Sequence, residues 1–308
     1  MRRVANIAVI TVLAALVLSG IAGYWIGGGL VHPQERPLTA ALIQQADKTL
    51  KKLNAAREDF DVAAPDGVIL RGWKVRPAAA NGDWVMLFHG VADNRAGVLP
   101  YAEILLRHNY SLVMMDARDH GQSGGSMATY GAKERYDTRA IVAALIASEH
   151  PHCIFELGES MGAGLALQSA AVEPQIVGVV AESPFATLRE VSYDYTGLHL
   201  SPLLGRTLFR PASYFGLKQM EKAGGFRVDD ISSSAAVRAR PFPVLLICDT
   251  LDHIIPCRHA KQIFKAASGP KQLWIVDGAD HTGAMGRDPV EFENRVVSFF
   301  QGIHAGRN

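Results

Sequence analysis

Cysteine is scarce and charge is balanced. The 308 residues hold three cysteines, Cys153, Cys248 and Cys257. They are too few and too irregularly spaced for a disulfide framework, and no CxxC pair or His/Cys cluster points to zinc. They read as small apolar fillers or loop residues, and the redox compartment is not legible from them. Thirty-one Lys+Arg against thirty Asp+Glu leave a formal charge of +1. Such a chain has no whole-protein field for collecting phosphates, which argues against a dedicated nucleic-acid binder. The short basic runs Lys51-Lys52 and Arg238-Ala239-Arg240 read as solvated charges. No internal repeat or low-complexity stretch is present, and with 48% hydrophobic residues and 29 Gly the composition is that of a globular protein with a sizeable core.

Charge is also missing from Val4 to Val31, where Asn6, Thr11 and Ser19 are the only clearly polar side chains. About 20 helical residues cross a hydrocarbon core, so residues 1–31 read as a single-pass membrane anchor. Arg2 and Arg3 would hold the N-terminus in the cytoplasm and leave the body extracytoplasmic, with Tyr24 and Trp25 near the far interface. The competing reading is a secretory signal cleaved near Gly20-Ile21-Ala22, after which the body is secreted. The apolar run continues through Ile26, however, where a cleavage region should turn polar. Residues 32–56 form a connecting segment. Leu38, Leu42, Ile43, Ala46, Leu50 and Leu53 fall on one helical stripe between Pro37 and Leu53, expected to pack on the body, with a membrane-surface role as the alternative.

From residue 57 to 308, short apolar runs alternate with helical patterns, which makes the class α/β with a mostly parallel sheet covered on both faces. Phe60 to Ala64, a Pro65-Asp66-Gly67 turn and Val68 to Val75 predict an opening antiparallel hairpin. Buried parallel strands are expected at Val85 to Phe88, Ser111 to Met115, Ile154 to Leu157, Ile176 to Val180, Val244 to Cys248 and Gln272 to Val276. Helices are expected at Val98 to His108, Glu134 to Glu149, Met161 to Val172, Pro256 to Ala267 and Pro289 to Ile303. About sixty residues separate Val180 from Val244, far more than the usual connection of about 2 to 6. This insertion, about 184–240, is rich in aromatic and apolar residues such as Tyr193, Tyr195, Leu198, Leu200, Leu203, Tyr214 and Phe215. It reads as a cap over a substrate pocket, with a long crossover as the bland alternative.

Gly158-Glu159-Ser160-Met161-Gly162 is a G-x-S-x-G sequence between an expected strand and an expected helix. A sharp strand-to-helix turn needs small neighbours and lifts the Ser160 hydroxyl to the sheet's C-terminal edge, as a nucleophile requires. The Met161 amide, at the helix start, would face an oxyanion. A serine needs a base, and the base needs an acid. His281, on the Gly-rich loop after the last expected strand, is the best-placed base, with His253, His259, His120 and His152 as alternatives. Asp252 and Asp249 both follow the strand Val244 to Cys248. Asp252 is chosen because the loop carries it outward, while Asp249 is expected to serve its own turn as an Asx cap. The order Ser160, Asp252, His281 matches this architecture.

The sequence resembles the α/β-hydrolase superfamily over about residues 57 to 305, in detail its membrane-anchored BEM46-like serine hydrolase branch. Five segments fall in the family's order: Phe88-His89-Gly90-Val91-Ala92-Asp93-Asn94-Arg95, Asp116 to Gly125, Gly158 to Gly162, Leu251 to Pro256 and Gly278-Ala279-Asp280-His281. The resemblance implies an α/β-hydrolase fold, with a small cap insertion and an N-terminal transmembrane helix, and an oxyanion hole from the amides of Val91 and Met161. It also implies no metal and no organic cofactor. Asp119 and Asp249 depart from the family, each standing where glycine is usual. Asp116 to Gly125 otherwise reads as a turn, and His89 as a structural donor bracing the oxyanion loop. The expected activity is hydrolysis of carboxylic esters, or thioesters, with small-molecule or lipid acyl substrates. A peptidase with the same triad is the enzymatic alternative, and a non-catalytic binding module is the other.

Overall fold

The computed structural model describes residues 2–33, 36–197 and 202–307, so the expectations for Leu198 and Leu200 lie outside the described residues. Helix α1 (Arg2–Val31) is followed by α2 (Ala40–Lys52) and the hairpin β1 (Ala55–Ala63) and β2 (Ile69–Pro77). Next come β3 (Trp84–Phe88), α3 (Leu99–Arg107), β4 (Ser111–Met115), α4 (Glu134–Glu149), β5 (Ile154–Glu159), α5 (Met161–Val172) and β6 (Ile176–Glu182). The insertion carries α6 (Leu188–Thr196), α7 (Pro202–Arg206), α8 (Arg210–Gly224), a 3₁₀ turn at Val228–Asp230 and α9 (Ser233–Ala239). The chain ends with β7 (Val244–Asp249), α10 (Arg258–Ala266), β8 (Lys271–Val276), α11 (Ala284–Arg287) and α12 (Pro289–Ala305).

The eight strands form one sheet in the order β1-β2-β4-β3-β5-β6-β7-β8. The β1–β2 and β2–β4 pairs are antiparallel and all others parallel. Strands β3, β4, β6 and β7 are buried along their whole length, as a sheet covered on both faces requires. Apolar residues of α2, α3 and α12 fill one face and those of α4, α5, α9 and α10 the other. The chain steps from β3 outward to β4 and then back across to β5, so the strand order reverses there. A ligand crevice forms at the carboxyl ends of the strands at such a switch point.

Strand β1 begins at Ala55, ahead of the expected Phe60, because Ala55 to Asp59 pair with Pro77 to Trp73 while presenting charged side chains outward. One of these, Arg57, stacks its guanidinium 4.7 Å from the centre of the Trp73 ring. The apolar stripe of α2 packs on the body through Ala46 and Leu50, with Leu38 just before the helix beside them. Arg240 corrects its reading as a solvated charge. Its guanidinium donates to the carbonyls of Ala170, Glu173, Pro174 and Ile176, lacing the end of α5 to the start of β6.

Within α1, Val9–Val31 is long and apolar enough to cross a membrane and is largely exposed. Its C-terminal end is not free. Val31 is a core residue whose carbonyl accepts from the Ala128 amide at 2.9 Å, and the Leu30 carbonyl accepts from the Tyr130 hydroxyl at 2.7 Å.

Candidate active site

Ser160 stands between β5 and α5 with φ +52° and ψ −116°, a backbone conformation that L residues rarely adopt. The turn is made possible by its small neighbours. A methyl group on Gly158 would run into the backbone of Gly162, and one on Gly162 into the Phe88 carbonyl. The Ser160 amide donates to the Glu182 carbonyl at 2.9 Å, which ties the elbow to the adjacent strand. The strain is thus held from two sides, and the hydroxyl projects at the carboxyl edge of the sheet.

Two loops bring the other expected residues to it. The Ser160 hydroxyl lies 2.9 Å from His281 Nε2, and His281 Nδ1 lies 2.7 Å from Asp252 Oδ2. The other carboxylate oxygen, Asp252 Oδ1, accepts from the amides of Ile254 at 2.8 Å and Ile255 at 2.7 Å. This Asx-type turn fixes the carboxylate's direction, and with it the ring tautomer that leaves Nε2 free to accept the serine proton. The Asx role had been expected of Asp249, and that reading is corrected. Asp249 Oδ2 instead faces Ser183 Oγ at 3.2 Å and the Gly283 amide at 3.3 Å, because β7 ends beside the loop that carries His281.

The cysteines also differ from expectation. Cys248 and Cys257 are paired in a disulfide, with Cα atoms 5.1 Å apart. The end of β7 and the start of α10 flank one loop and meet at its base, which spacing in sequence did not disclose. The loop closed in this way carries Asp252. Cys153 is a buried free thiol, as expected.

The loop after β3 approaches the elbow through Gly90, where an added methyl would lie 3.7 Å from the Ser160 Cβ. Val91 follows, 38% exposed. Among the described residues, neither the Val91 amide nor the Met161 amide donates to a backbone carbonyl outside regular structure. His89 braces this loop: its Nδ1 donates to the Gly90 carbonyl at 2.7 Å and its Nε2 accepts from the Ala117 amide at 3.0 Å. Burial, with His120 beside it, pushes the His89 pKa down to about 3, so the ring stays neutral in this role. His120 accepts from the Ala92 amide at 3.3 Å. Asp119, the departure from glycine, sits at φ +59°, which is the conformation that favours glycine at this position. Asp116 closes the turn around it with buried contacts to Arg95 and to the Gln122 amide.

Of the alternative bases, His259 is buried in α10 and hydrogen-bonded to Asp194 at 2.8 Å. His152 accompanies Gly82 at the opposite edge of the sheet, and His253 is exposed on its loop. None of them contacts Ser160 in the structure.

Sequence reasoning missed a buried acid cluster behind the site. The Tyr101 hydroxyl lies 2.8 Å from both Glu159 Oε2 and Glu182 Oε2, and Glu182 Oε1 accepts from the Ala284 amide at 3.0 Å. Burial raises the Glu182 pKa to about 8 and, to a lesser degree, the Asp249 pKa to about 6. The available signal was a carboxylate closing the otherwise apolar run Ile176 to Ala181. Among the described residues, one group could offer metal ligands, Asp83, Cys153 and His304. It lies at the opposite, N-terminal ends of β3 and β5, where His304 pairs with Asp83 at 2.9 Å.

Comparison with known proteins bears on the family and the fold. The profile of the family Hydrolase_4, described as serine aminopeptidase, S33, matches residues 80–239, a little over half the chain. YqkD of Bacillus subtilis is 27% identical over 249 residues, covering 80% of this chain and 79% of its own. YfhR of Escherichia coli K12 is 25% identical over 250 residues, covering 79% and 80%. Among solved structures, the Pyrococcus furiosus esterase Pf2001 is 25% identical with a TM-score of 0.67, covering 82% of this chain and 94% of that one. A hydrolase from Pseudomonas aeruginosa shares the fold at 19% identity and a TM-score of 0.57, covering 79% and 98%. The serine elbow, the mostly parallel sheet and the family profile lead to one assignment: the chain belongs to the serine aminopeptidase, S33 family and is an α/β-hydrolase.

Proposed function

We propose that the protein is a membrane-anchored serine hydrolase that cleaves carboxylic esters, thioesters included, through an acyl-enzyme intermediate. The observation that carries this reading is the relay Ser160–His281–Asp252, at 2.9 and 2.7 Å. Ser160 Oγ attacks the ester carbonyl carbon as His281 Nε2 takes its proton, and Asp252 stabilises the imidazolium. The amides of Val91 and Met161 hold the oxyanion. Collapse of the tetrahedral intermediate expels the alcohol, which receives the proton from His281. Water, deprotonated by the same ring, then releases the acid and restores Ser160.

The likeness to the Pyrococcus esterase favours an ester, and the apolar insertion about 184–240, read as a cap, favours a hydrophobic acyl group. The family's description favours amide hydrolysis as the second reading. With Arg2 and Arg3 holding the N-terminus in the cytoplasm, the anchor leaves the body outside it, a reading supported by the Cys248–Cys257 pair, since structural disulfides persist in oxidising compartments. The test is hydrolysis of p-nitrophenyl esters of graded chain length beside aminoacyl p-nitroanilides. Ser160→Ala is expected to lower ester turnover by at least about 10³-fold, and a fluorophosphonate probe is expected to label Ser160. Activity of the variant near the parent level sinks the assignment. Folded protein that takes no label favours a binding module.

A further inference from the structure

Two independent contacts fix how the body stands on its apolar helix. The first is the docking of α1 on α8. A methyl on Gly23 would come within 2.6 Å of the Ala212 carbonyl oxygen and the Phe215 Cβ, and one on Gly27 would strike the Gly216 carbonyl and approach the Gln219 Cβ at 3.0 Å. Small residues on both helices let the backbones meet, as in close-packed membrane helices. Contacts advance in the same direction along both chains, so the helices run parallel. The start of α8, at Arg210, is then level with about residue 19 or 20 of α1, some 7 Å nearer the helix's N-terminus than Tyr24 and Trp25 at 1.5 Å per residue.

The second contact is where the chain leaves α1. The Ala128 amide donates to the Val31 carbonyl at 2.9 Å, and the Arg36 amide donates to the Ala92 carbonyl at 2.8 Å, one residue beyond Val91. Asn94 Nδ2 reaches the Arg36 carbonyl at 3.0 Å, and His32 stands 3.7 Å from Asp119. These loops belong to the carboxyl edge of the sheet, the edge that carries Ser160.

We propose that this edge faces the bilayer and that the segment from α7 to the start of α8 dips into the leaflet on the body's side. The proposal rests on the reading of α1 as an anchor and names the lipid surface as the partner of the insertion. Leu203 and Leu208 are 67% and 68% exposed, and Tyr195, Tyr214 and Phe215 are also exposed. A bilayer covers these side chains without a second protein, and one of them, Phe215, lies against α1 beside Gly23. The cations in the segment are accommodated: Arg206 pairs with Asp194, and Arg210 lies over the Tyr193 ring and can snorkel toward the headgroups.

The experiment places nitroxide labels on the full-length protein in vesicles of phosphatidylcholine and phosphatidylglycerol and compares collision with oxygen and with a water-soluble nickel chelate. The labelled variants are Leu203→Cys, Leu208→Cys, Leu16→Cys within α1, and Ala79→Cys on the loop before β3 at the opposite edge of the sheet. The labels at 203 and 208 are expected to favour oxygen several-fold, as the one at 16 does, and the label at 79 to favour nickel. If 203 and 208 behave like 79 while 16 remains in lipid, the dipping insertion is wrong and the anchor stands. If 16 also meets nickel freely, the anchor reading fails and carries this inference with it.

Discussion

Tyr101 has one proton to donate and two carboxylates at hydrogen-bonding distance, so one of them must itself be protonated and donate to the phenol oxygen. Glu182 is the acid that burial keeps protonated, with a pKa raised from 4.5 to about 8. Its folded pKa exceeds its unfolded one, so its contribution to stability is complete below about pH 4.5 and is lost as pH climbs toward about 8. Glu156, fully buried in β5 with both carboxylate oxygens unpartnered among the described residues, is raised too and adds a slope of the same sign. Glu182→Gln keeps an acceptor for Ala284 and gains a donor for Tyr101. We expect its unfolding free energy in guanidinium to fall less than the parent's between pH 5 and pH 8, by an amount on the order of a few kcal/mol; parallel pH profiles would exclude a proton on Glu182. At this scale the sequence was legible where chemistry demands a residue type at a spacing, as at Ser160, Asp252 and His281, which the structure brings into contact. It was silent on Tyr101 and Glu182, because a buried acid's partner comes from a distant strand or helix and leaves no local pattern.

Among the elements, α4 and α5 have the bounds expected from the sequence, and the inner strands run at most two residues past their apolar cores. Shorter pieces were not foreseen: α7, α9 and α11 carry too few turns to show a period. The loop from β7 to α10 brings the expected Asp252 within 2.7 Å of His281, but its closure is not legible in the sequence. Cys248 and Cys257, nine apart in sequence, tie off the ends of the segment that points Asp252 at His281. Opening a loop of that size costs about 2 to 3 kcal/mol in chain entropy of the unfolded state. Reduction by a phosphine is therefore expected to lower the melting temperature and to depress kcat more than it alters KM, since Asp252 orients the base. Cys248→Ala/Cys257→Ala should show neither response to the reductant. A parent enzyme whose kcat is indifferent to reduction, with thiol titration confirming that the bond has opened, would detach the disulfide from the geometry of the acid.

For the whole molecule, the apolar N-terminus, the class and the insertion were all visible in the sequence, but not their arrangement, because hydropathy records what avoids water and not which neighbour replaces it. If α1 remains uncleaved, the protein should stay in the membrane fraction after extraction at pH about 11, with Edman sequencing returning the original N-terminus. Recovery of a trimmed chain in the supernatant would instead identify a signal peptide. The burial of Val31 has a practical corollary. A water-soluble version begun at residue 32 would lose a core side chain and the carbonyls that satisfy Ala128 and Tyr130. A version begun several residues earlier keeps them but retains a greasy stub on α8. The molecule thus offers no clean seam for truncation, and detergent or nanodisc preparations of the intact chain are the better starting material for crystallisation.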